Sequence, residues 1–162
     1  MSTHPSLQDI VITTLEPVPT AAVRATVPME ALRSFFDDSF GLLFATLREQ
    51  QVEPTGAPYA RYRGEPTDTV DVEIGVPTSG PVTAAGEVRP SELPGGEVVT
   101  ATHVGAYDGL GGSYAELARW IGERGRTPSS SMWEVYLTEP GPGVDPATLR
   151  TQICWPLQDG GQ

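Results

Sequence analysis

Lysine is absent from the 162-residue sequence: all ten bases are arginine, set against 21 acids for a net charge of −11. Such an acidic excess repels phosphate backbones, so direct nucleic-acid binding is not expected. It attracts cations instead. Cysteine is nearly absent. Cys154 stands alone, which excludes an intrachain disulfide, and with no histidine near it in sequence it reads as a small buried residue rather than a nucleophile. The only histidines are His4 and His103, neither with a second ligand at useful spacing, so neither a metal nor any other cofactor is expected. No apolar run approaches the ~20 residues of a membrane span, and the opening MSTHPSLQDI lacks the charged-then-apolar pattern of a signal peptide. A cytoplasmic protein without membrane contact is the expectation.

What the chain has in quantity is glycine (18) and proline (16), which implies many turns. Its length suits one domain with a core that needs no disulfide or metal. Two segments carry helical periodicity. In RSFFDDSFGLLFATLREQQ, Phe36, Phe40, Leu43, Phe44 and Leu47 fall on one face. In DGLGGSYAELARWIGERG, Leu110, Tyr114, Leu117, Ala118 and Ile121 do the same, with Asp108 placed to cap the start and Gly125 to stop the end. The GLGG at 109–112 lacks the remainder of a phosphate-loop fingerprint.

The two halves repeat each other. Adding 74 takes Phe36 to Leu110, Tyr114 from Phe40, Leu117 from Leu43 and Ile121 from Leu47. The same shift takes Pro54 to Pro128, Tyr59 to Trp133 and Tyr62 to Tyr136. VEIGVPT (72–78) then matches TQICWPL (151–157) at an offset of 79, the longer loop TEPGPGVDPAT absorbing the difference. The chain therefore reads as a tandem duplication of a strand–helix–strand–strand module. The first module covers about 9–78 and opens with DIVITTLEP or AAVRATVP; a connecting segment covers 79–95; the second module covers about 96–157. Short strands with one apolar helix stripe per module predict an α+β fold, an antiparallel sheet with both helices on one face and a ligand cleft on the other.

One residue resists a structural reading. Glu134 sits mid-strand in SSSMWEVYLTEP, with no arginine within seven residues on either side. Alternation puts Trp133, Val135 and Leu137 on one side of the strand and Met132, Glu134 and Tyr136 on the other. The Trp/Val/Leu side has the composition of a surface under a helix, so Glu134 is expected on the open side. The plain alternatives are a glutamate facing water, or one paired with a distant arginine such as Arg61.

The pattern H-x-G-x-Y at 103–107, Y-x-x-L-x-x-W at 114–120, E-x-Y at 134–136 and T-x-I-x-x-P at 151–156 resembles the GyrI-like small-molecule-binding domains, which also serve as effector domains of transcription regulators. The resemblance runs from about Asp9 to Leu157 and is more specific in the second half. It implies that Glu134 lies at the bottom of an aromatic-lined cleft facing bulky lipophilic cations. It implies cleft-lining roles for Tyr107, Tyr136 and Trp155, with His103, Met132 and Met29 as further candidates. With two modules consuming almost the whole sequence, no DNA-reading helix-turn-helix is expected, and a stand-alone binder of aromatic or cationic molecules is the first reading.

Two other functions fit the resemblance. Some members hydrolyse electrophilic cyclopropane-bearing natural products; here Glu134 would act as general base, with Tyr107 or Tyr136 donating a proton. The founding member binds DNA gyrase, but the acids in this chain are scattered rather than massed.

Overall fold

The computed structural model describes residues 7–64, 67–106, 109–138 and 143–158. These form an α+β fold of antiparallel strands and two long helices, divided into two compact units. The first unit is Leu15–Gly96; the second joins the residues up to Thr14 to those from Glu97 onward.

In the first unit, β2 (Val18–Pro28) leads through a 3-10 turn at Met29–Ala31 into α1 (Leu32–Gln50), followed by β3 (Tyr59–Arg63), β4 (Thr69–Pro77) and β5 (Arg89–Leu93). The strands lie in the order β3-β4-β2-β5. In the second unit, β1 (Leu7–Leu15) joins β6 (Gly96–Val104), α2 (Leu110–Glu123), β7 (Ser131–Tyr136) and β8 (Arg150–Pro156), ordered β1-β6-β8-β7. Both N-terminal candidates for an opening strand are strands. It is β2 that pairs within the first module, and β1 lies against β6.

The strand registers reproduce the repeat. Tyr59 faces Gly75 across β3 and β4, and Trp133 faces Cys154 across β7 and β8, shifts of 74 and 79. The isolated bridges Pro54–Thr78 and Pro128–Leu157 obey the same two shifts. The helix ends repeat as well. Gly125 is left-handed at φ 70, its N–H donates to the Gly122 carbonyl, and the Arg126 N–H reaches back to Ile121. Gln51 is left-handed at φ 59, with Gln51 donating to Arg48 and Val52 to Leu47. Both are Schellman ends, which satisfy the last carbonyls of the helix.

The core of the second unit gathers Leu7, Val99, Ala101, Ile153, Leu117 and Ile121, so α2 packs over β6 and β8. Ser113, not Ala118, completes the buried stripe of α2: Ser113 is buried and Ala118 exposed. A small polar side chain is tolerated there because it has a hydrogen-bond partner, described below. The residue at the helix N-cap position is Gly109, without a side-chain cap; the expected cap, Asp108, lies outside the described residues. In α1, Leu43 and Leu47 are buried and Phe36, Phe40 and Phe44 partly so, as the stripe requires.

Candidate functional site

Glu134 is buried, 6% exposed, in the middle of β7. Its face is the reverse of the one its neighbours suggest. Tyr114, on α2, donates its hydroxyl to Glu134 Oε2, and Met132, two residues along the same side of β7, packs against the cluster containing Leu117 and Ile121. The Met132/Glu134/Tyr136 side therefore lies under α2, and the Trp133/Val135/Leu137 side faces away from it. Composition misleads here because α2 carries a tyrosine in its apolar stripe. The ring packs as a hydrophobe while the hydroxyl at its tip requires a buried partner, and Glu134 is that partner.

Tyr136 supplies a second donor, its hydroxyl 2.8 Å from Glu134 Oε1. Each carboxylate oxygen thus accepts from one phenol, and hydrogen bonds to a charged acceptor contribute about 1.5–3 kcal/mol each. Around this pair, Tyr114 also lies 3.7 Å from the Met132 sulfur and stands edge-on to Trp155 with ring centroids 5.9 Å apart. Trp155 is held by its indole N–H, which donates to the Ser129 carbonyl at 2.9 Å. Among the described residues, no arginine forms an ion pair with Glu134.

Burial pushes the Glu134 carboxyl above the ordinary glutamate range; the Tyr114 and Tyr136 hydroxyls and the nearby His103 pull it back without cancelling that rise. His103 is itself 1% exposed. Its Nε2 lies 2.9 Å from the Ala106 carbonyl, which can only accept, so Nε2 carries the proton. Its Nδ1 pairs with the Ser113 hydroxyl at 2.7 Å. His103 thereby ties the start of α2 to the turn after β6. Gly109 fits tightly against it, since a Cβ there would stand 3.3 Å from His103 Cε1.

Glu134, Tyr136, Met132, Trp155 and His103 thus belong to one region of the second unit, centred on Tyr114. Tyr107 lies outside the described residues. Met29 belongs to the first unit, in the turn between β2 and α1, where it is 45% exposed. Tyr114 is the participant that sequence periodicity assigns only to the core. The signal that reveals it is the polar tip of an aromatic in an otherwise apolar stripe.

The duplicated strand–helix–strand–strand architecture defines the class of the fold as α+β. The chain matches the GyrI-like small molecule binding domain over residues 8–158 and belongs to that family. No curated protein sequence matches it. Its fold is similar to EcmrR in a cryo-EM structure of the EcmrR–DNA complex, with a TM-score of 0.83 at 20% identity over 95% of this chain. The chain spans 58% of that EcmrR chain. The isolated EcmrR C-terminal domain gives 0.81 at 20% identity, covering 93% of this chain and 98% of that one. A hydrolase from Listeria innocua gives 0.68 at 11% identity, covering 93% and 92%. SAV2435 bound to tetraphenylphosphonium gives 0.65 at 12% identity, covering 93% and 94%.

Proposed function

We propose that the protein binds bulky aromatic, often cationic small molecules, with Glu134 supplying the charge that a cation meets. One observation carries this reading: a carboxylate 6% exposed whose partners, among the described residues, are two phenols and no arginine. An unpaired buried charge costs several kcal/mol, and a weakly hydrated organic cation offsets that cost where water cannot. Flat aromatic groups add cation–π attraction of about 0.5–2 kcal/mol each. A site built from rings and one acid sets few demands on ligand outline, which suits promiscuous binding. The tetraphenylphosphonium bound to SAV2435, a lipophilic cation on a protein of the same fold, supports this reading.

The test is a fluorescence or calorimetric titration with a rhodamine-type dye and a neutral aromatic of similar shape, on wild type and Glu134→Gln. Selective loss of the cation is expected. Equal loss of both ligands would show that Glu134 shapes the site without pairing.

A second reading rests on the same raised carboxyl. A glutamate whose carboxyl is raised by burial and bonded to two phenols has the chemistry of a general acid or base, and hydrolysis of an electrophilic cyclopropane would use Glu134 to activate water while Tyr136 or Tyr107 donates a proton. Multiple turnovers of such a substrate, lost in Glu134→Gln, establish this reading; saturable binding without product rejects it.

A further inference from the structure

A second polar site lies in the first unit. On one side of its sheet, Arg24, Glu73 and Arg61 stand directly opposite one another across β2, β4 and β3. Arg63 faces Asp71 across β3 and β4, and Arg89 and Ser91 approach from β5 on the other flank of β2. Four of the chain's ten arginines meet here.

Their acceptors are mostly committed. Asp71 takes both Nε and Nη2 of Arg24, at 3.1 and 2.9 Å. Glu73 is 3% exposed and accepts from Arg63 Nη2 at 2.7 Å, from the Tyr59 hydroxyl at 2.7 Å and from Ser91 Oγ at 3.0 Å. Glu87 stands at the mouth beside Arg89. Counting Arg24, Arg61, Arg63 and Arg89 against Asp71, Glu73 and Glu87 leaves one positive charge in excess, in a chain of net charge −11. Hydrogen-bond acceptors are short as well. The Nε atoms of both Arg61 and Arg63 are buried without an acceptor, which is costly for a buried donor. Crowding shows on Arg61, whose pKa is lowered by burial and by the neighbouring Arg63. A recess of about 270 Å³ opens among Arg24, Arg63, Arg89, Ser91, Glu73 and Glu87.

We propose that this recess binds a small oxyanion, a carboxylate or phosphate group, which supplies the missing negative charge. Arg89 forms no hydrogen bond or ion pair with the described residues and stands exposed at the recess, so it is the entry contact. Arg63 and Arg24 also line the recess. Guanidinium forks match planar carboxylate and tetrahedral phosphate oxygens better than a point charge does. The site shares no residue with the Glu134 site and does not rest on the function proposed for it.

The experiment titrates the full chain with inorganic phosphate and, separately, acetate, each against chloride at matched ionic strength. Heat of binding and melting temperature are the readouts. Saturable binding beyond the chloride control is expected, weakened about tenfold by Arg89→Ala, which removes a guanidinium without touching the buried network. Glu134→Gln should bind the anion as wild type does. Saturation by phosphate alone assigns the site to phosphate groups, and saturation by acetate as well assigns it to oxyanions in general; both support the proposal. No saturation by either anion, or unchanged affinity in Arg89→Ala, overturns it.

Discussion

Among the described residues each unit buries one carboxylate, and the two are held in opposite ways. Glu73 in the first unit lies against an arginine, a tyrosine and a serine. Glu134 in the second lies against two tyrosines. Register explains why these are not copies of one another. The shifts of 74 and 79 make Glu134 the counterpart of Ala60, and Glu73 the counterpart of Gln152. The duplicated backbone thus carries its two buried carboxylates on non-equivalent strands. Arginine sets the contrast: Glu73 is paired with one, whereas Glu134, among the described residues, has only phenol partners.

The largest expected effect breaks the internally paired half. Arg63→Met leaves Glu73 buried beside phenol and hydroxyl donors only, and stability should fall by about 3 kcal/mol. Urea denaturation measures it. A loss below about 1 kcal/mol would mean that Tyr59 and Ser91 suffice, and that the two carboxylates differ less than their partners suggest.

Next comes the backbone that lets Tyr59 reach Glu73. A Cβ at Gly75 would sit 2.6 Å from the Tyr59 ring and 2.8 Å from the Ala21 carbonyl oxygen. Tyr59 is fully buried, its hydroxyl bonded to Thr20 and Glu73, and burial drives its pKa far above the ordinary tyrosine value. It cannot move aside cheaply. Gly75→Ala should cost about 2 kcal/mol. The second unit places Cys154 at the equivalent position, opposite Trp133, so Cys154→Ala should lack this clash. Its thiol, pushed up to about 12 by burial, stays protonated at neutral pH.

Glu134→Gln tests the other half. For a lipophilic cation, removing one charge at an effective dielectric near 20 should weaken binding by roughly 1–2 kcal/mol after desolvation is deducted, five- to thirty-fold. Without ligand the sign reverses. Because burial raises the Glu134 pKa, the folded state keeps a proton that the unfolded state releases. The stability this confers is complete below the ordinary value of 4.5 and is lost as pH rises through the folded pKa. Glutamine removes that loss, so the ligand-free variant should be more stable at neutral pH, by about 1 kcal/mol, with a flatter pH profile above 4.5. Thermal melts between acid and neutral pH decide it. A variant less stable than wild type at neutral pH would show that the two phenols already outweigh the cost of burial.

The repeat was legible because it rests on spacing, and spacing survives divergence: two offsets read from apolar and proline positions reappear as strand registers. The side of β7 on which Glu134 lies was not legible. Alternation separates the two sides of a strand, but choosing the helix-facing one needs the partner's polar groups, and Tyr114 hides its hydroxyl in an apolar stripe. The Glu73 network was missed for another reason. Arg63, Glu73 and Ser91 lie on three strands, and only the pairing of β2 with β5, inside what reads as a connecting segment, brings Ser91 to the carboxylate.

The smallest expected effect concerns the one place where the two units end a helix alike with unlike residues. Gly125 and Gln51 occupy the same left-handed position, at φ 70 and φ 59, with the same pair of backbone hydrogen bonds. For glycine this conformation carries no steric penalty; for glutamine the Cβ crowds the adjoining backbone. Gln51→Gly should therefore stabilise the protein by about 0.5–1 kcal/mol, the relief of strain outweighing the extra freedom glycine gives the unfolded chain. Gly125→Gln should cost a similar amount. Paired urea melts of the two exchanges test whether the helix stops are interchangeable. If Gln51→Gly destabilises the chain, then contacts of the glutamine side chain, rather than the repeat's backbone geometry, hold the end of α1.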